Sequence, residues 1–147
     1  MKIRKMRKTE KQVFLKMEKK ELYPWLSIRA LEDRLWEKAL PYILEVDGSI
    51  IGGVVWEEYD VFPNGKSIID LAAIFILNSF RGQGYGKKLF EKSLALAKES
   101  LNAIAIHIET VGQEAFYRKV LPSDYVEMTI NVGGTMVTFF AANITGL

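Results

Sequence analysis

The stretch from Ser67 to Leu77 restricts the fold more than any other: Ser-Ile-Ile-Asp-Leu-Ala-Ala-Ile-Phe-Ile-Leu, nearly continuous in apolar side chains, with Asp70 its only charge. A run of this length and β-branched content reads as a central strand buried on both faces. Such a strand needs covering layers on either side of its sheet, and the flanking sequence offers them. Residues 2–6 alternate polar and apolar like a short edge strand. Thr9 and Gln12 read as a capping box opening a helix striped by Val13, Phe14 and Met17, which Pro24 interrupts. A second helix places Ile28, Leu31, Leu35 and Ala39 on one face and ends at Pro41.

Strands follow over 42–46 and 50–59 around the hairpin signal Asp47-Gly48, with a second turn at Pro63-Asn64-Gly65. Beyond the central run, residues 82–98 form a helix with Leu89, Phe90, Leu94 and Ala97 inward. Residues 101–110 form a strand with Ile104, Ile106 and Ile108 on one face and His107 and Glu109 on the other. A short helix over 113–120 and strands over 125–131 and 135–142 complete the chain. The expected architecture is α/β, a mixed central β-sheet flanked by helices, in a single domain spanning 1–147.

Composition excludes several chemistries. The 147 residues include no cysteine and one histidine, so a disulfide framework, a catalytic thiol and a poly-His or Cys-based metal site are all out, and no metal cofactor is expected. Nothing resembles the apolar stretch of a signal peptide or reaches membrane-spanning length, and a cytoplasmic location without a membrane partner is expected. Charge is uneven. Residues 1–20 hold nine Lys/Arg against Glu10 and Glu18, a local +7 within a chain of net +2. That surplus reads first as a solvated face; a nucleic-acid partner ranks behind it, because no recognition motif accompanies the charge.

Chemistry concentrates where the apolar run ends, at Asn78-Ser79-Phe80-Arg81-Gly82-Gln83-Gly84-Tyr85-Gly86-Lys87. Glycine at alternate positions lets backbone N–H groups approach a ligand, and the helix that follows adds unpaired N–H groups and partial positive charge. Together they suit a pyrophosphate. The dinucleotide fingerprint does not fit: its third glycine would fall at Lys87 or Leu89. A mononucleotide P-loop does not fit either, since Arg81 stands where its first glycine belongs and Lys88 follows Gly86-Lys87.

Arg81-Gly82-Gln83-Gly84-Tyr85-Gly86, preceded by the strand ending Ile74-Phe75-Ile76-Leu77, resembles the Arg/Gln-x-x-Gly-x-Gly/Ala motif of the GNAT N-acetyltransferase superfamily. Ala115-Phe116-Tyr117-Arg118-Lys119 resembles that family's short tyrosine-bearing helix. The resemblance implies acetyl-CoA or coenzyme A as co-substrate and an amine acceptor. It implies that Arg81, Gly82, Gln83, Gly84, Tyr85, Gly86 and Lys87 surround the pyrophosphate. It also implies that the main chain of Ile74, Phe75 and Ile76 pairs with the pantetheine arm where the strand splays from its neighbour. Departures occur at Lys119-Val120-Leu121-Pro122, where the family often has Lys-x-Gly-Phe, and at Thr110, where it often has Asn.

Amine acylation requires a base, stabilisation of a developing oxyanion and a proton for the leaving thiolate. Asp70 is the first choice for the base, with His107 and Glu109 as alternatives, and Tyr117 is the candidate acid. Trp25, Trp36, Trp56 and Tyr59 are candidates to line an acceptor pocket, although aromatics at such spacing are more often core, and Glu57, Glu58 and Asp60 read equally as a draw for a cationic amine or as a solvated strand end. The chain is expected as a monomer or homodimer, with the last strand able to close the sheet or pair across a dimer. Two other readings stay open: a non-catalytic acyl-CoA-binding module, and an RNA-associated protein using its basic N-terminal residues.

Overall fold

The computed structural model describes residues 1–22 and 39–147. Residues 28–38 of the helix expected over 28–39, together with Trp25, lie outside the described residues, and Ala39 opens a strand rather than ending a helix. In chain order the elements are β1 (Lys2–Lys5), α1 (Lys11–Leu22), β2 (Ala39–Val46), β3 (Ser49–Val61), β4 (Ser67–Ile76), α2 (Tyr85–Leu101), β5 (Ala103–Thr110), α3 (Glu114–Val120), β6 (Val126–Val132) and β7 (Thr135–Asn143). The strands form one sheet in the order β1-β2-β3-β4-β5-β7-β6. Only β4 and β5 are parallel neighbours; the other pairs run antiparallel. The apolar run is therefore the middle strand, as its composition requires.

Each face of that strand has its own cover. On one face Leu89, Phe90, Leu94 and Ala97 of α2 pack with Trp56, Ile69, Leu71, Ile106, Ile108 and Phe140 in the larger core. Ser93, on the same helical stripe, accepts a hydrogen bond from Trp56 Nε1 at 2.9 Å. Trp56 is thus a core residue, the commoner of its two readings from the sequence, and does not line an acceptor pocket. On the other face Phe14 of α1 sits edge-on to Phe75, with ring centroids 5.3 Å apart. There it packs with Ile43, Val55 and Ala73. The contact depends on Gly53, where an added Cβ would come within 2.4 Å of the Phe14 ring.

Local rules account for most boundaries. Asp47 and Gly48 both take positive φ (51° and 80°), the backbone of a two-residue hairpin turn. Asn102, also left-handed, closes α2 by donating its N–H to Lys98 O. Three details depart from expectation. The Glu10 carboxylate, rather than Gln12, reaches back to an N–H, that of Arg7 at 2.8 Å, and a short turn over Lys8–Glu10 precedes α1. Pro41 does not end a helix but lies inside β2 opposite Val55. It sits where β1 ends, its carbonyl accepting from Met6 N–H at 3.0 Å, so the N–H that proline lacks removes one bond at the last rung of the β1–β2 ladder and none within it. β7 lies between β5 and β6, so it closes the sheet and leaves β6 as the edge.

Candidate active site

The geometry that matters arises from an incomplete pairing. β4 and β5 are in register only from Ser67 opposite Ala103 to Asp70 opposite His107. Past that point β5 stays with β7, through Ile108–Phe140, Glu109–Phe139 and Thr110–Thr138. β4 continues to Ile76 paired with β3 alone. A bulge at Ala72, between the pairs Val55–Ala73 and Trp56–Leu71, lies where the strands part. Leu77 donates its N–H to Ile51 O across β3. By strand alternation the peptide groups of Ile74 and Ile76 then face the open edge.

Asp70 and His107 stand at the foot of this gap. Their neighbours Ile69, Leu71, Ile106 and Ile108 all enter the α2-side core, so both polar side chains point to the opposite face. Asp70 Oδ1 lies 3.1 Å from His107 Nδ1. Asp70 is 4% exposed, while the His107 side chain keeps 25% of its surface in solvent. A carboxylate accepts and does not donate, so Nδ1 is the donor in this contact, and only in the neutral imidazole does Nε2 keep a lone pair. The imidazole is held between two rings, Tyr59 at 5.0 Å and Phe139 at 6.0 Å between centroids. Glu57, directly opposite Asp70 on β3, is buried on the same face, whereas Glu109 is exposed. The sequence offered Asp70 and His107 as rival bases; the register makes them partners.

Tyr117 approaches from α3. It is buried among Phe90, Phe116 and Phe140. Burial, and secondarily the negative charge of Asp70, push its phenol above the ordinary tyrosine range, so it stays protonated. The loop ahead of it is pinned by Glu114 Oε1, which accepts from Gly112 N–H and from the Thr138 hydroxyl, both at 3.2 Å.

At the far end of the open edge lie the glycines. Gly82 and Gly84 adopt φ of 78° and 82°, and a Cβ at either would enter open space. Substitution there meets backbone strain, while the concave side stays free for a ligand. Gly84 is the N-cap of α2 and supplies no side-chain cap, which leaves the first-turn N–H groups of Tyr85, Gly86 and Lys87 available. Gly86 differs from them: its φ is not left-handed, and an added Cβ would lie 3.4 Å from the Phe116 ring, an ordinary contact. These positions and the free edge of β4 fit a pyrophosphate with an extended arm. Arg81 is engaged nearby, donating Nε to Ile76 O at 2.9 Å and Nη2 to Glu21 at 2.6 Å. Lys87 is exposed and 3.9 Å from Glu91.

The sequence profile of the acetyltransferase (GNAT) family matches residues 5–121. The chain belongs to that family. A relative in Archaeoglobus fulgidus, described as an uncharacterized N-acetyltransferase, is 30% identical over 92 residues, covering 61% of this chain and 57% of that protein. The chain thus matches a little over half the length of this relative. Among solved GNAT structures, the ribosomal-protein-alanine N-acetyltransferase of Brucella melitensis superposes with a TM-score of 0.72 at 16% identity, covering 98% of this chain and 100% of that one. A family acetyltransferase of Elizabethkingia anophelis with acetyl-CoA bound gives 0.71 at 18%, covering 97% of each chain. Among the described residues no group of three metal-ligating side chains converges, and no helix is long and apolar enough to cross a membrane.

Proposed function

We propose that this protein transfers an acetyl group from acetyl-CoA to a primary amine, by direct attack of the amine with both substrates bound. The observation that carries the reading is the Asp70–His107 contact of 3.1 Å at the point where β4 and β5 separate. Bound acetyl-CoA supplies a thioester already activated for attack. The backbone N–H groups of Gly82 to Lys87 hold its pyrophosphate, and the outward amides of Ile74 and Ile76 hold its arm and face the carbonyl oxygen as negative charge develops there.

An alkylamine titrates near about 10, like lysine, so it arrives mostly charged and must lose a proton. Nε2 of His107 takes that proton, and Asp70 keeps the imidazole in the right tautomer and steadies it once it is charged. The Tyr117 hydroxyl gives a proton to the thiolate as the carbon–sulfur bond breaks. Without cysteine, no thiol can carry the acyl group between the two substrates. Glu57 beside the pair favours a cationic acceptor, and Tyr59 and Phe139 offer it an aromatic wall.

The test is release of free coenzyme A from acetyl-CoA in the presence of a lysine-bearing peptide, a peptide with a free N-terminus, or a small diamine. Amine-dependent release that falls about a thousandfold in His107→Ala, with acetyl-CoA binding intact, supports the reading. Release that no amine accelerates overturns it. So does full activity in His107→Ala.

A further inference from the structure

The N-terminal charge surplus takes on a different meaning in the fold. Residues 1–22 contain three acids, and none neutralises the outer surface of the segment. Glu10 is bound by the Arg4 guanidinium at 2.9 and 2.8 Å. Glu18 is fully buried. Glu21, its side chain 8% exposed, is taken by Arg81. Lys8, Lys16, Lys19 and Lys20 are all exposed and form no ion pair among the described residues. On an α-helical repeat, Lys16, Lys19 and Lys20 share one arc, opposite Phe14 and Glu18, and Lys8 stands in the short turn just ahead of the helix. From Lys8 to Lys20 this lysine stripe runs about 18 Å.

Like charges at i,i+3 and i,i+4 oppose helix formation. The helix dipole accounts for the sign of Lys19 and Lys20 in the last turn, but not for Lys8 or Lys16. We propose that this outer face of α1 docks the phosphate backbone of a nucleic acid.

The chemistry of the face selects that partner. A membrane surface calls for a basic helix with a large apolar side free to insert. Here the apolar side, Phe14 with Met17, is packed on the sheet, and only Val13 stands out among the lysines. An acidic protein surface is best gripped by bidentate arginine forks with buried aromatic anchors; the stripe has four flexible ammonium groups and no exposed aromatic among the described residues. Lysine point charges spaced along a straight rod suit a regular line of phosphates, and they carry no base readout. The bound strand would lie along the helix that packs its inner side on Phe75 and Arg81, so an acceptor associated with nucleic acid would be held beside the candidate active site.

Fluorescence anisotropy tests this with a labelled 20-nucleotide single-stranded RNA, a DNA of the same sequence and a polyglutamate peptide of equal charge. Four phosphate contacts predict a slope of log K against log salt of about −3, a loss of about fiftyfold between 50 and 200 mM salt. RNA and DNA should bind alike, and polyglutamate at least tenfold more weakly. The variant Lys16→Glu/Lys19→Glu/Lys20→Glu should lose at least tenfold in affinity. A control with the same charge change elsewhere, Lys66→Glu/Lys92→Glu/Lys119→Glu, should lose less than threefold. Circular dichroism confirms that both variants fold. Equal loss in the two variants, equal binding of polyglutamate, or no binding at 50 mM salt would overturn the proposal.

Discussion

The glycine turn and the Asp70–His107 face lie at opposite ends of one open strand edge, and they are built from different materials. The turn is backbone: left-handed φ at Gly82 and Gly84, an uncapped helix start, and space where side chains would be. The face is side chains brought together from β4, β5, β3 and β7, with Tyr117 reaching across from α3. A backbone site suits a feature that many relatives share, and in the proposed reading that is the pyrophosphate of the co-substrate. A side-chain site can be changed one residue at a time, which is how a fold keeps its cofactor and changes its acceptor.

That division can be tested at each end. If the face works through side chains, His107→Ala lowers kcat about a thousandfold and leaves the Kd for acetyl-CoA unchanged, measured by coenzyme A release and by calorimetry. A matching loss of acetyl-CoA affinity would break the distinction. Glu18 lies between the two regions, one turn from Phe14 on Phe75 and three residues from Glu21 on Arg81. Its carboxyl is fully buried, neither oxygen has a hydrogen-bond partner among the described residues, and burial raises it from 4.5 to about 8.

The folded state therefore favours protonated Glu18. Its contribution is intact below pH 4.5 and is lost as pH rises toward 8. Chemical denaturation should find Glu18→Gln more stable than the parent by about 3 kcal/mol at pH 7 and equal to it at pH 4. Equal stability at pH 7 would show that the carboxyl has a partner. Tyr117→Phe should keep the packing, leave acetyl-CoA affinity unchanged and lower kcat about a hundredfold. The smallest effect belongs to the turn: Gln83→Ala, which removes a side chain from a site made of backbone, should shift the Kd for acetyl-CoA by less than about twofold.

The same difference in material explains what the sequence disclosed. Gly82, Gly84 and the strand before them are contiguous, so a backbone site is written as a motif and can be read without a fold. The alternation Ile104-Ile106-Ile108 placed His107 and Glu109 on one face, but only the parallel register of β4 with β5 brings His107, rather than Glu109, to Asp70. That register depends on the length of α2 and on the extra residue Ile104 between the pairs Ser67–Ala103 and Ile68–Ala105, which no local pattern announces. Trp56 is ambiguous in the sequence for a related reason. An aromatic beside an acidic strand end has the composition of a pocket, and its burial against α2 through Ser93 is a tertiary fact. Pro41 shows propensity yielding to context, since it sits at the frayed end of the β1–β2 ladder, where one missing N–H interrupts no interior rung.

The central claim is that the chain binds acetyl-CoA through the backbone of the Gly82–Lys87 turn, and calorimetric titration tests it most directly. Wild-type protein should bind acetyl-CoA and free coenzyme A with micromolar affinity. Gly84→Trp, which places a bulky side chain in the cradle at a residue with φ of 82°, should bind neither while keeping its circular dichroism spectrum. Folded wild-type protein that binds neither ligand, or a folded Gly84→Trp that binds as well as wild type, would contradict the account.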